Sequence, residues 1–126
     1  MVDGWWKMVD EKKLNILLNR FAAILSSSFE LDCIYLFGSY AANLSFEESD
    51  IDVAVVSKDF EGNRFKDRNK VAAVIIDATY PNLEFAGFEI HPFKSEDFTS
   101  DDPFVEEIKK PGKEFTDNFL SQLPLI

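Results

Sequence analysis

Hydrophobic positions along this chain change their period several times, and each change marks an element. In "KKLNILLNRFAAILSSS", residues 12–28, Leu14, Leu17, Leu18, Phe21, Ile24 and Leu25 recur at helical spacing with polar residues between them, which predicts an amphipathic helix. Residues 33–37, within "CIYLFG", are apolar and rich in strand formers, and Gly38 ends the run, so a strand is predicted there. "IDVAVVS", residues 51–57, predicts a second strand, buried on both faces after its first residues. A helix is expected over 64–80, "RFKDRNKVAAVIIDATY", with Phe65, Val71, Val74, Ile75 and Ala78 inward and Pro81 just beyond its end. "LEFAGFEIHPF" predicts a third strand in which Phe88 and Ile90 alternate with Glu89 and His91. A last helix is expected from Pro103, capped by Ser100 or Asp101 and stopped by Pro111 and Gly112. Between the first two strands, "SYAANLSFEES" has the polarity and length for a short helical turn and a loop.

Mixed helices and strands without repeats or linkers predict one α/β domain over residues 1–126. A chain of 126 residues, 46% of them hydrophobic, is long enough for one core and too short for two. Charge narrows the classes of partner. A formal net charge of -10 disfavours a direct grip on a nucleic-acid backbone, which needs a basic surface, and favours cations. The single cysteine, Cys33, permits no intrachain disulfide, which suits a reducing cytoplasm, and its plainest role is that of a small buried hydrophobe. No apolar run reaches the roughly eighteen residues of a membrane span, and the opening "MVDGWWKMVDEKK" lacks a basic region followed by an apolar one. A soluble, cytoplasmic protein is therefore expected, with Trp5 and Trp6 folded onto the core or marking a contact surface.

The chemistry is concentrated in "FGSYAANLSFEESDIDVAVV". Asp50 and Asp52 lie two apart at the entry to a buried strand, so both carboxylates project to one face, where repulsion and desolvation call for a positive charge. Mg²⁺ answers that demand: it takes oxygen ligands, usually one or two carboxylates plus substrate phosphates. Gly38 and Ser39, at the end of the preceding strand, allow close backbone approach and offer N–H and hydroxyl donors to phosphate oxygens. A phosphate cradle facing a carboxylate pair describes phosphoryl or nucleotidyl transfer, and a two-metal site would need a third carboxylate.

The Gly-Ser pair, the gap of about ten residues and the Asp-x-Asp of "GSYAANLSFEESDID" resemble the signature of the DNA polymerase beta-like nucleotidyltransferases, specifically their minimal nucleotidyltransferase branch. "FEIHPF" looks like the third strand of those proteins and "DDPFVEEIKKPGKEF" like their closing helix, so the resemblance covers about residues 31–115. It implies a polymerase beta-like palm fold, of α/β (α+β) class, with a small mixed sheet flanked by helices. By the same resemblance, Gly38 and Ser39 hold the triphosphate of ATP or another NTP, Asp50 and Asp52 ligate Mg²⁺, and Glu89 is the third catalytic carboxylate. The implied partner is a small helical HEPN protein, the pair acting as toxin and antitoxin, and self-association is also open. His91 shares the face of Glu89 and would touch phosphate or the partner substrate, or else serve as a structural histidine.

The pattern departs from the family at two positions. Members of the branch commonly read Gly-Ser-x-Ala-Arg-Gly, and here Ala42 and Asn43 stand where arginine and glycine would be. Asn tolerates a left-handed turn, but the guanidinium is lost, and Arg64, Lys66, Arg68 or Lys70 of the next helix would have to replace it. Two functional readings follow: an enzyme transferring a nucleoside monophosphate to an acceptor hydroxyl, and a non-catalytic module of the same fold that neutralises its partner by contact. A third, transfer to a small antibiotic-like molecule, needs a second domain.

Overall fold

A computed structural model describes residues 11–37, 51–99, 101–110 and 113–114. Trp5, Trp6, Gly38, Ser39, Ala42, Asn43, Glu47, Glu48, Asp50, Ser100, Pro111 and Gly112, with the expected helical turn, lie outside the described residues. The elements run α1 (Glu11–Ser26), β1 (Leu31–Phe37), β2 (Ile51–Ser57), α2 (Arg64–Thr79), β3 (Phe88–Lys94), a 3-10 turn at Ser95–Asp97, α3 (Pro103–Lys109) and β4 (Lys113–Glu114).

These strands form one mixed sheet in the order β3-β2-β1-β4. β1 runs antiparallel to β2 and to β4, while β2 and β3 are parallel because α2 carries the chain back between them. The parallel register is the one that matters for chemistry: Asp52 pairs with Glu89 and Ala54 with His91. Alternation then divides the side chains between two faces. Val53, Val55, Ile34, Leu36, Phe88 and Ile90 meet Leu18, Phe21 and Leu25 of α1 and Val71 and Ile75 of α2. On the other face Ala54, Val56 and Phe93 meet Val105 and Ile108 of α3. Asp52, Glu89 and His91 share this second face.

Helix α1 buries the predicted stripe, with Leu18, Phe21 and Leu25 at most 1% exposed, and ends two residues before the predicted limit as Ser27 and Ser28 turn out of it. In helix α2 the predicted Val71 and Ile75 are buried and Val74 packs against the core, but the other two predicted positions do not turn inward. Phe65 is 75% exposed and Ala78 is exposed; the buried positions are Asp67, Val71, Ile75 and Thr79, one every fourth residue. Asp67 takes the inward place because its carboxylate accepts the backbone N–H groups of Glu61 and Gly62, both at 2.9 Å, and so ties the helix to its entry loop. The third strand starts later than the pattern predicted: residues 84–87 form turns and Leu83 has a positive φ of 49°. The cap of α3 is Asp102 in place of Ser100 or Asp101, since its side chain reaches the N–H of Phe104 at 2.9 Å with Pro103 at the first helical position. The segment 113–114, grouped with the closing helix by resemblance, is instead a short edge strand on β1. No helix among the described residues is long and apolar enough to cross a membrane.

Candidate active site

Three side chains from two adjacent parallel strands converge. Ligand atoms of Asp52, Glu89 and His91 lie within 4.8 Å of one another. His91 Nε2 stands 3.3 Å from Asp52 Oδ1 and 3.9 Å from Glu89 Oε2. The strand register causes the meeting: Asp52 and Glu89 are paired positions, and His91 follows Glu89 by two residues on the same face. Glu89, which the family resemblance implies as a third carboxylate, thus lies on the face of Asp52. Solvent access is graded across the cluster, with side-chain exposures of 13% for His91, 26% for Asp52 and 41% for Glu89.

The His91 ring is held between aromatic walls. Phe37 of β1 meets it edge-on at 5.0 Å between centroids, and Phe104 of α3 does so at 5.9 Å. On its far side, Arg64 NH2 lies 3.2 Å from His91 Nδ1. That guanidinium also sits 5.7 Å from the centre of Phe104 and 6.0 Å from that of Phe93, within cation–π range. Arg64 is the first residue of α2, which packs on the opposite face, and it reaches the site around β3, the edge strand of the sheet among the described residues. Its placement is local in origin. Gly62 adopts a φ of 88°, and its Cβ-less position comes against Asp97 and Lys94. Asn63 then caps α2 by accepting the Lys66 N–H, and Asp67 fixes the two residues before the cap.

Of the four cations that could replace the missing arginine, Arg64 is the one whose contacts are with the site. Arg68 donates through Nε to the Ile90 carbonyl, and Lys70 pairs with Glu61 at 2.7 Å; Lys66 is exposed on the helix. The Phe37 and Phe104 walls and the Arg64–His91 contact were absent from the sequence reading. Beside Arg64 a cleft of about 620 Å³ opens, bounded by Phe93, Phe104, Lys94, Glu96 and Asp102 among others. Within it, the Lys94 ammonium is tied to Glu96 at 2.6 Å, a contact that raises the lysine above its ordinary pKa and lowers the glutamate below its own.

The donor set suits a hard divalent cation. Two carboxylates, one of them open to solvent, leave coordination positions for water and phosphate, as Mg²⁺ requires. Imidazole nitrogen is the preferred donor of softer ions.

A strand-borne carboxylate pair in a small mixed sheet with helices on both faces is the architecture of a nucleotidyl-transfer palm. The family of polymerase beta nucleotidyltransferases matches residues 19–115. A Methanocaldococcus jannaschii protein, assigned by inference as a protein adenylyltransferase, is 40% identical over 70 residues, covering 54% of this chain and 47% of its own. The chain thus spans about half the length of that relative. A structure assigned by inference as a nucleotidyltransferase, from Sulfolobus solfataricus, superposes with a TM-score of 0.56 at 22% identity, over 82% of this chain and 80% of the other. A toxin–antitoxin structure with AMP-PNP gives 0.51 at 22% identity, over 84% and 86%. The chain belongs to the polymerase beta nucleotidyltransferase family.

Proposed function

We propose that this protein transfers a nucleoside monophosphate from an NTP, ATP in the first instance, to a hydroxyl on a partner protein. The observation that carries the proposal is the pairing of Asp52 with Glu89 on adjacent strands, side by side on one face, in a chain of this family. Asp50, Asp52 and Glu89 would hold Mg²⁺, which when bound orients phosphates and stabilises charge on the attacking and leaving oxygens. Gly38 and Ser39 would cradle the triphosphate through backbone N–H groups and a hydroxyl. In the transfer, the acceptor oxygen bonds the α-phosphorus as the bond to the bridging oxygen of pyrophosphate breaks. The acceptor proton passes to water or to a carboxylate of the site, and pyrophosphate leaves.

The partner is proposed from three supports: the relative assigned to protein adenylylation, the toxin–antitoxin fold neighbour, and a net charge of -10 that suits a basic protein surface. It would be a HEPN-type helical toxin, with this chain as antitoxin. The cleft beside Arg64, about 620 Å³, is of ligand size and is where the base or the acceptor segment would fit. A second reading has its own support. Ala42 and Asn43, in place of arginine and glycine, favour a module that neutralises its partner by contact alone.

The test is label transfer with the protein, Mg²⁺ and the product of the adjacent reading frame. The α-phosphorus label of ATP should pass to the partner and the γ-label should not, with transfer lost in Asp50→Asn. Neutralisation of the partner without label, equal in Asp50→Asn, would establish the contact reading instead.

A further inference from the structure

His91 touches Asp52 with one ring nitrogen and Arg64 with the other, and the second contact restricts the first. A guanidinium has N–H donors and no acceptor, so His91 Nδ1, 3.2 Å from Arg64 NH2, must be the acceptor and carry no proton. The ring proton then resides on Nε2, the atom 3.3 Å from Asp52 Oδ1, and is donated to that carboxylate. Both neighbours ask for the same tautomer. A nitrogen that carries a proton has no lone pair for a metal, and imidazole is in any case a poor match for Mg²⁺. Resting on the reading of Asp52 as a metal ligand, we propose that His91 is a positioning residue. It is not a ligand itself: it aims the Asp52 carboxylate by donating from Nε2, while Arg64 holds the ring from behind.

The surroundings are built for that role. Phe37 and Phe104 close on the ring from β1 and α3, and Arg64 lies against Phe104 and Phe93, so the imidazole is clamped by three elements besides its own. A hydrogen-bonded carboxylate presents its remaining lone pairs in a fixed direction, and loss of such a supporting contact ordinarily costs about 10–100-fold in metal affinity or activity. With Arg64 engaged on Nδ1, the tautomer needed for ligation through Nε2 would set an N–H against the guanidinium.

His91 is the only histidine in the sequence, so its ring can be read without assignment in protein prepared free of a polyhistidine tag. Long-range proton–nitrogen NMR correlations should show Nε2 protonated and Nδ1 bare in metal-free protein. The pattern should persist with Mg²⁺ alone and with Mg²⁺ plus AMP-PNP, and Arg64→Met should move the Nδ1 resonance while Nε2 keeps its proton. A proton on Nδ1, on both nitrogens, or a switch from Nε2 on adding Mg²⁺ overturns the proposal, whatever the transfer assay gives. Failure of label transfer with the tautomer as stated would count against the enzymatic reading alone. Calorimetric titration of Mg²⁺–AMP-PNP supplies the second readout: affinity should fall about 10–100-fold in His91→Phe. His91→Gln, whose amide can donate to Asp52, should recover at least half of that loss on a logarithmic scale. Equal affinity in wild type and His91→Phe overturns the proposal as well.

Discussion

Against α1 and α2 the sheet presents Ile34, Leu36, Val53 and Val55, all at most 1% exposed, whereas on the face under α3 strands β2 and β3 carry Asp52, Glu89 and His91. The first face is a closed apolar layer in which Phe21 meets Phe85 at 5.5 Å and Phe88 at 5.0 Å between ring centres. The second has a smaller apolar cluster under α3 and leaves the ends of β2 and β3 to polar groups. One register serves both. With Ile51 paired to Phe88 and Asp52 to Glu89, a single alternation sends hydrophobes to one side and carboxylates to the other. The first face therefore supplies the stability that lets like charges be held together on the second.

The largest effect is expected on the polar face. Asp52→Asn should lower nucleotide transfer by about a thousandfold, several kcal/mol of lost charge stabilisation, while the melting temperature stays level or rises slightly because a repulsion is removed. A large drop in melting temperature would mean that Asp52 belongs to the structural side. On the apolar face the reverse is expected. Phe21→Ala should cost about 3–5 kcal/mol in urea denaturation, through lost burial and a cavity, with nucleotide affinity of the folded fraction unchanged.

Asp67 sharpens the contrast because it serves both faces. It is 1% exposed and accepts two backbone N–H groups just before the cap of α2, so Asp67→Ala should cost about 1–3 kcal/mol by leaving them unsatisfied. It should also loosen Arg64 from His91, seen as a shifted Nδ1 resonance. The smallest effect belongs to Glu61→Gln. The Lys70 ammonium hydrogen-bonds Glu61 and holds its carboxyl below the ordinary value, so what the pair contributes is present at neutral pH and lost as pH falls through the carboxylate range. Both side chains are about half exposed, and solvent screening should leave the unfolding midpoint at neutral pH indistinguishable from wild type.

Periodicity made α1 and β2 legible because each has one dominant rhythm, Leu14 to Leu25 every three or four residues and "VAVV" without interruption. It set Val71, Val74 and Ile75 of α2 inward as observed but misread the first turn, where the inward position at 67 is an aspartate whose partners are backbone N–H groups, so hydropathy pointed to Phe65 instead. For the site, strand alternation was enough to set Glu89 and His91 on one face. Their meeting with Asp52 depends on a parallel register between β2 and β3, which no local pattern encodes. Arg64 was less legible still: its reach follows from the positive φ of Gly62 and the edge position of β3.

Asp52 and Glu89 are proposed to form a Mg²⁺-dependent nucleotide site on the α3 face. Calorimetric titration of ATP with and without Mg²⁺ tests it most directly, using wild type, Asp52→Asn and Glu89→Gln. Binding by wild type should be strengthened at least about tenfold by Mg²⁺, with that strengthening lost in Asp52→Asn and reduced in Glu89→Gln, all three proteins melting alike. Mg²⁺-dependent binding that is unchanged in both variants would contradict it.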